Sequence, residues 1–88
     1  MTAIDLVIHG RVQGVFYRDW TVENARALGL AGWVRNRTDG TVAAHLEGDP
    51  AAVEDMVARM GKGPIAARVD RIDRTVANCD GLTEFQRL

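Results

Sequence analysis

Cysteine is almost absent: Cys79 is the single one among 88 residues. One thiol can neither close an intrachain disulfide nor build an all-cysteine metal site, and such sparing use fits the reducing cytoplasm. No apolar run approaches the roughly 20 residues of a membrane helix. The opening Met1-Thr2-Ala3-Ile4-Asp5 lacks the basic stretch and apolar run of a signal peptide, so a membrane is not an expected partner. Neither charge is in excess. A formal net charge of −1 argues against the broad electrostatic footprint that nucleic acid requires. Proline occurs only at Pro50 and Pro64, and no Ser/Pro-rich linker, repeat or low-complexity stretch interrupts the chain.

What remains is 47% apolar and 26% charged, the composition of a folded globule rather than a disordered tail. The length suits one domain, residues 1–88. A chain this short buries only about 60–65% of its unfolded surface. A bulky enclosed cofactor is therefore not expected, and any site should be shallow and built from loops. The basic residues are ten arginines and a lone lysine, Lys62. Genomic base composition accounts for that bias as a set, which leaves each arginine to be judged by position.

Residues 4–9, short and β-branched, read as a strand ending at Gly10. A loop follows over 10–18. Val22, Ala25 and Leu28 then recur at helical spacing over Asp19–Leu28, with Gly29 placed to stop the helix. A hairpin is expected over 31–47, with strands 31–36 and 41–47 joined through Thr38-Asp39-Gly40-Thr41. Asp49 caps a second helix, Pro50 suits its first position, and Val53, Met56, Val57 and Met60 form its apolar stripe. Gly61 and Gly63 end it. A fourth strand over 67–76 is so charged that it reads as a solvated sheet edge, which makes a monomer the default. A short last strand spans 82–87.

This order, β-α-β-β-α-β with a tail strand, is the ferredoxin-like α+β arrangement: a mostly antiparallel sheet with both helices on one face. A right-handed crossover sets the first two strands parallel with one slot between them. Their C-terminal ends, the loop Gly10–Arg18 and the segment Arg35-Asn36-Arg37, then meet at one edge, on the order of 10 Å apart.

The loop enters a helix N-terminus, where backbone N–H groups and the helix dipole favour an anion. It is neither a P-loop nor a Rossmann fingerprint, and by themselves its glycines read more readily as a turn without a ligand. Arg18 at that helix start opposes the dipole. An anion between guanidinium and amides would reconcile the two, as would an arginine turned outward onto Asp19 or Glu23. Asn36 is either an ordinary turn residue or a neutral amide that holds a water beside the same pocket. His9 and His45 lack ligand-spaced partners and read as surface or half-buried structural residues. Trp20 and Trp33 read as core. An RNA-recognition domain of the same topology would carry aromatics in strands 1 and 3, and these carry none.

Ile8-His9-Gly10-Arg11-Val12-Gln13-Gly14-Val15-Phe16-Tyr17-Arg18 resembles the first signature of the acylphosphatase family, G-x-V-Q-G-V ending in arginine. Gly32-Trp33-Val34-Arg35-Asn36, continued by Gly40, Val42 and Gly48, resembles the second. Two departures stand out: Tyr17 where the family more often has Phe, and Arg87 where an apolar residue is commoner. The resemblance implies hydrolysis of an acyl phosphate, a small-molecule carboxyl–phosphate anhydride, without metal or cofactor. It implies that Arg18 holds the phosphoryl group and Asn36 orients the attacking water. The backbone of Arg11, Val12, Gln13, Gly14, Val15 and Phe16 would cradle the phosphate. Phe16, Tyr17 and Arg37 are candidate contacts for the acyl group. The family's domain also occurs inside larger proteins such as hydrogenase maturation factors, so a non-catalytic module that binds a phosphate-like or carbamoyl-phosphate-like anion is the alternative.

Overall fold

A computed structural model describes all residues, 1–88. Its elements run β1 (Thr2–Arg11), α1 (Tyr17–Ala27), β2 (Ala31–Asn36), β3 (Val42–Gly48), α2 (Pro50–Lys62), β4 (Arg68–Ala77) and β5 (Phe85–Arg87). The sheet order is β4-β1-β3-β2-β5. Strands β1 and β2 both pair antiparallel to β3, so they run parallel with β3 between them, as the crossover argument requires. Both helices pack on one face.

Alternation along the strands selects that face. Ile4, Leu6 and Ile8 of β1, Val34 of β2, and Val42, Ala44 and Leu46 of β3 are buried in one cluster with Val22 and Ala25 of α1 and Val53, Met56 and Met60 of α2. Helix α2 starts as expected: the Asp49 side chain accepts a hydrogen bond from the Ala51 N–H at 2.8 Å, with Pro50 at the first position. Gly61 lies inside its last turn, and Gly63, at φ 68°, ends it.

Three boundaries differ from the sequence reading in ways that shape the site. Strand β1 continues through Gly10 to Arg11, because its pairing with β4 shifts register between His9 and Gly10. Gly10 belongs to this bulge rather than to the loop. At φ 131° its backbone lies so close to β4 that a Cβ would sit 2.1 Å from the Arg68 carbonyl oxygen. Helix α1 begins at Tyr17, two residues earlier than its apolar spacing indicates, which puts Arg18 in the first turn. The last strand is confined to Phe85–Arg87 and pairs parallel to β2.

The connection from β4 to β5 must cross from one sheet edge to the other, over the face without helices. It covers β3, whose Ala43, His45 and Glu47 point to that face and are nevertheless buried. Trp33, expected in the core, lies on this face and stacks on His45 at 6.0 Å between ring centroids. Trp20 is half-buried against the core. The charged strand β4 occupies an edge, its side chains paired as Arg68–Asp70, Arg71–Asp73 and Arg74–Glu54.

Candidate active site

The loop between β1 and α1 is anchored from below. Val12 and Val15 are buried in the core, while Gly14 and Phe16 between and after them stay exposed. Gly14, at φ 71°, and Phe16, at φ 64°, both take the left-handed conformation. For a non-glycine residue that costs on the order of 1 kcal/mol, and Phe16 is the only one in the chain to do so. It sits at the N-cap of α1 and makes no side-chain capping bond. None of the backbone N–H groups from Val12 through Asp19 donates to a backbone carbonyl; the first internal bond of the helix is Trp20 N–H to Phe16 O. A helix N-terminus left open in this way, with its dipole, is suited to an anion.

Asn36 ends β2 on the neighbouring side. Val42 of β3 stands opposite both Ile8 of β1 and Asn36 of β2, which brings the two strand ends to one level of the sheet. The Gln13 side-chain amide then ties loop to hairpin, donating to the carbonyls of Arg37 at 2.7 Å and Thr41 at 2.8 Å. The hairpin turn is itself braced, since Asp39 Oδ1 accepts from the Thr41 N–H and hydroxyl, at 3.0 and 2.6 Å. Those bonds hold the Asp39 carboxyl below its usual pKa.

The result is one cleft of about 260 Å³, lined by Val12, Gly14, Phe16, Tyr17, Arg18, Asp19, Asn36 and Arg87. Arg18 and Asn36 share it, as do three of the loop residues. Arg11, Gln13 and Val15 do not line it. Arg11 is paired in β1 with Arg68, so the loop proper begins at Val12. Arg37 lies outside, 3.9 Å from Asp39. Arg18 is half-buried and donates through Nη1 to the backbone oxygen of Leu88 at 2.8 Å. It therefore turns toward β5, not outward onto Asp19 or Glu23. Asp19 is taken instead by Arg87, Nη1 to Oδ1 at 2.8 Å.

Sequence reasoning passed over Arg87 and Asp19 as cleft residues. Nothing local in Phe85-Gln86-Arg87-Leu88 signals proximity to a loop some 70 residues away; the parallel pairing of β5 with β2 creates it. Tyr17 is deeper than a substrate contact at the rim would be. Its ring is buried and its hydroxyl donates to the Met60 carbonyl at 2.8 Å.

A second cluster of titratable groups lies on the other face. His45 Nδ1 stands 2.6 Å from Asp5 Oδ1, and Nε2 stands 2.6 Å from Glu47 Oε2, with Asp80 Oδ2 at 3.8 Å. His45, Glu47 and Asp80 are the one group whose donor atoms converge closely enough for a metal ion. Two carboxylates on the two ring nitrogens call for an imidazolium, however, with a proton in each bond. Burial disfavours that charge, but hydrogen bonds to Asp5 and Glu47 outweigh it and raise the His45 pKa. Burial likewise disfavours the Glu47 carboxylate, and it is overcome by the Asp80 N–H at 2.7 Å and by His45, which lower its pKa. His45 lies more deeply buried than its sequence indicates. His9 is half-buried and meets Asp73 at 2.9 Å.

Comparison with known proteins identifies the family. The acylphosphatase family model matches residues 4–87. An acylphosphatase of Rhodospirillum rubrum is 64% identical over 63 residues, 72% of this chain and 69% of that one. One from a Nocardioides species is 48% identical over 84 residues, 96% and 85% of the two chains. The crystal structure of the Bacillus subtilis acylphosphatase superposes with a TM-score of 0.97 at 32% identity, covering 100% of this chain and 99% of that one. The chain belongs to the acylphosphatase family.

Proposed function

We infer that this protein is an acylphosphatase that hydrolyses acyl phosphates to a carboxylate and inorganic phosphate, with Arg18 and Asn36 as its catalytic residues. The observation that carries the division of roles is the unbroken run of unpartnered N–H groups, Val12 to Asp19, in a loop that lines the same cleft as Arg18 and Asn36. Loop amides and the Arg18 guanidinium supply donors for the phosphoryl oxygens. Asn36, a neutral donor and acceptor, orients the water. The water oxygen forms a bond to phosphorus as the bond to the acyl oxygen breaks, and a phosphate oxygen takes the water's proton.

The chemistry asks little more. The leaving carboxylate has a conjugate acid of pKa about 4, so no general acid is needed. Phosphoryl transfer through a loose transition state is served mainly by positioning and by fixed positive charge. Arg18, the amides and the helix dipole provide both, and no step requires a metal or cofactor.

The fold acts as one domain, 1–88, and as a monomer, since the exposed edge β4 is lined with ion pairs that oppose strand addition. The one cysteine, Cys79, is exposed and free, in keeping with a cytoplasmic protein. No helix is long and apolar enough to cross a membrane.

Phosphate release from benzoyl phosphate, with and without EDTA, tests the function. Turnover unaffected by the chelator is expected. No turnover refutes the assignment, and turnover abolished by EDTA refutes the metal-free mechanism.

A further inference from the structure

We propose that Arg87 sets substrate preference, favouring acyl phosphates whose acyl group carries a second anionic group, a carboxylate above all. The proposal rests on the acylphosphatase reading and extends it to the part of the substrate beyond the anhydride.

Arg18 and Arg87 come from opposite ends of the chain and line the same cleft. A phosphoryl group held by Arg18 and the loop amides directs the acyl group to the rim. Two side chains of different character stand there: Phe16, 80% exposed, and Arg87, whose side chain is about half exposed. Arg87 is held by a single contact, Nη1 to Asp19 Oδ1 at 2.8 Å. A guanidinium carries five N–H donors in a planar fork matched to a carboxylate. Arg74 shows the fork occupied, with both terminal nitrogens on Glu54, at 3.0 and 2.6 Å. At Arg87 one terminal nitrogen is engaged, and the guanidinium makes no other hydrogen bond.

Charge points the same way. Arg18 and Arg87 against Asp19 leave one net positive charge around the cleft. The phosphoryl group is met by Arg18 and by the amides, and Arg87, although it shares its charge with Asp19, is the other cation lining the cleft that a further anion could engage. Asp19 keeps the guanidinium at the rim without filling its fork. The opposing view makes Arg87 a surface brace between β5 and α1, and exposed pairs of that kind contribute little to stability. A brace would affect all substrates alike, whereas a specificity residue affects one class.

The experiment compares kcat and KM for benzoyl phosphate with those for 3- and 4-carboxybenzoyl phosphate, using the native protein and the variants Arg87→Gln and Arg87→Lys. The expected native preference for at least one carboxylated substrate is roughly fivefold to tenfold in kcat/KM, residing in KM and shrinking as salt is added. Arg87→Gln should erase that ratio, and Arg87→Lys, which keeps the charge but lacks the fork, should retain only part of it. A ratio unchanged in Arg87→Gln, or an equal loss on all three substrates, would overturn the proposal. So would the absence of any preference in the native protein, a result that needs no variant to fold. Failure of the native protein to hydrolyse benzoyl phosphate itself would instead overturn the acylphosphatase reading, and this inference with it.

Discussion

Gln13 is clamped to Thr41: one side-chain nitrogen donates to the Thr41 carbonyl at 2.8 Å and to the Arg37 carbonyl at 2.7 Å. Both acceptors flank the hairpin turn that follows Asn36. The position of the loop amides relative to Asn36 therefore depends on a side chain outside the cleft. In Gln13→Ala the clamp is lost while Val12 and Val15 still anchor the loop in the core. The expected outcome is a fall of about tenfold in kcat on benzoyl phosphate, with stability lowered by only about 1 kcal/mol. Kinetics beside a urea titration check this, and parental kcat would remove the clamp from the mechanism.

Arg18→Ala removes the cleft's fixed charge at the phosphoryl position. It should lower kcat/KM on the order of 10²–10³-fold, through both KM and kcat. Asn36→Ala should depress kcat by a similar factor with KM nearly unchanged, because orienting the water matters only in the transition state. Steady-state kinetics on variants that melt cooperatively would separate the two patterns; a KM effect for Asn36→Ala would reassign it to binding.

Tyr17→Phe isolates a packing role. The Met60 carbonyl lies four residues before Pro64, which has no N–H to complete the helical bond. The Tyr17 hydroxyl supplies the missing donor at 2.8 Å. Without it a buried acceptor is unsatisfied, and unfolding free energy should drop by about 1–2 kcal/mol. Chemical denaturation measures this directly. A midpoint equal to the parent's would mean that water replaces the hydroxyl.

The His45–Glu47 pair predicts a pH profile for stability. The folded-state pKa of His45 is raised above its ordinary 6.5, so its contribution is complete below that value and is lost as pH rises through the raised pKa. Glu47 is lowered below its ordinary 4.5, so its contribution is present above that value and is lost as pH falls through the lowered one. Urea midpoints should decline from near neutrality toward alkaline pH, with the decline flattened in His45→Gln. A profile equally steep in that variant would assign the alkaline loss to other groups.

Much of the fold was legible because its signals are local. Asp39-Gly40 marks the hairpin, Asp49-Pro50 the start of α2, and the Val53/Met56/Met60 stripe its buried face. Boundaries failed where long-range contact overrides local pattern. Gly10 looks like a loop glycine until β4 is seen to pass against it, and α1 starts at Tyr17 because that ring is buried beneath Met60. Within the cleft, Arg18 and Asn36 were accessible to reasoning because a βαβ unit brings its strand ends together wherever it occurs.

The amino-acid sequence by itself determined the element order, the ferredoxin-like class, and the pairing of the Arg18 loop with Asn36, since periodicity, caps and crossover handedness act over short stretches of chain. Only the tertiary structure decided where the tail goes. Three residues of β5 lay Arg87 into the cleft against Asp19, and the connection before them buries His45 and Glu47 on a face that alternation alone assigns to solvent. Contacts between residues 33 to 68 positions apart leave no periodic trace in the chain. They arise when the sheet closes around its last strand.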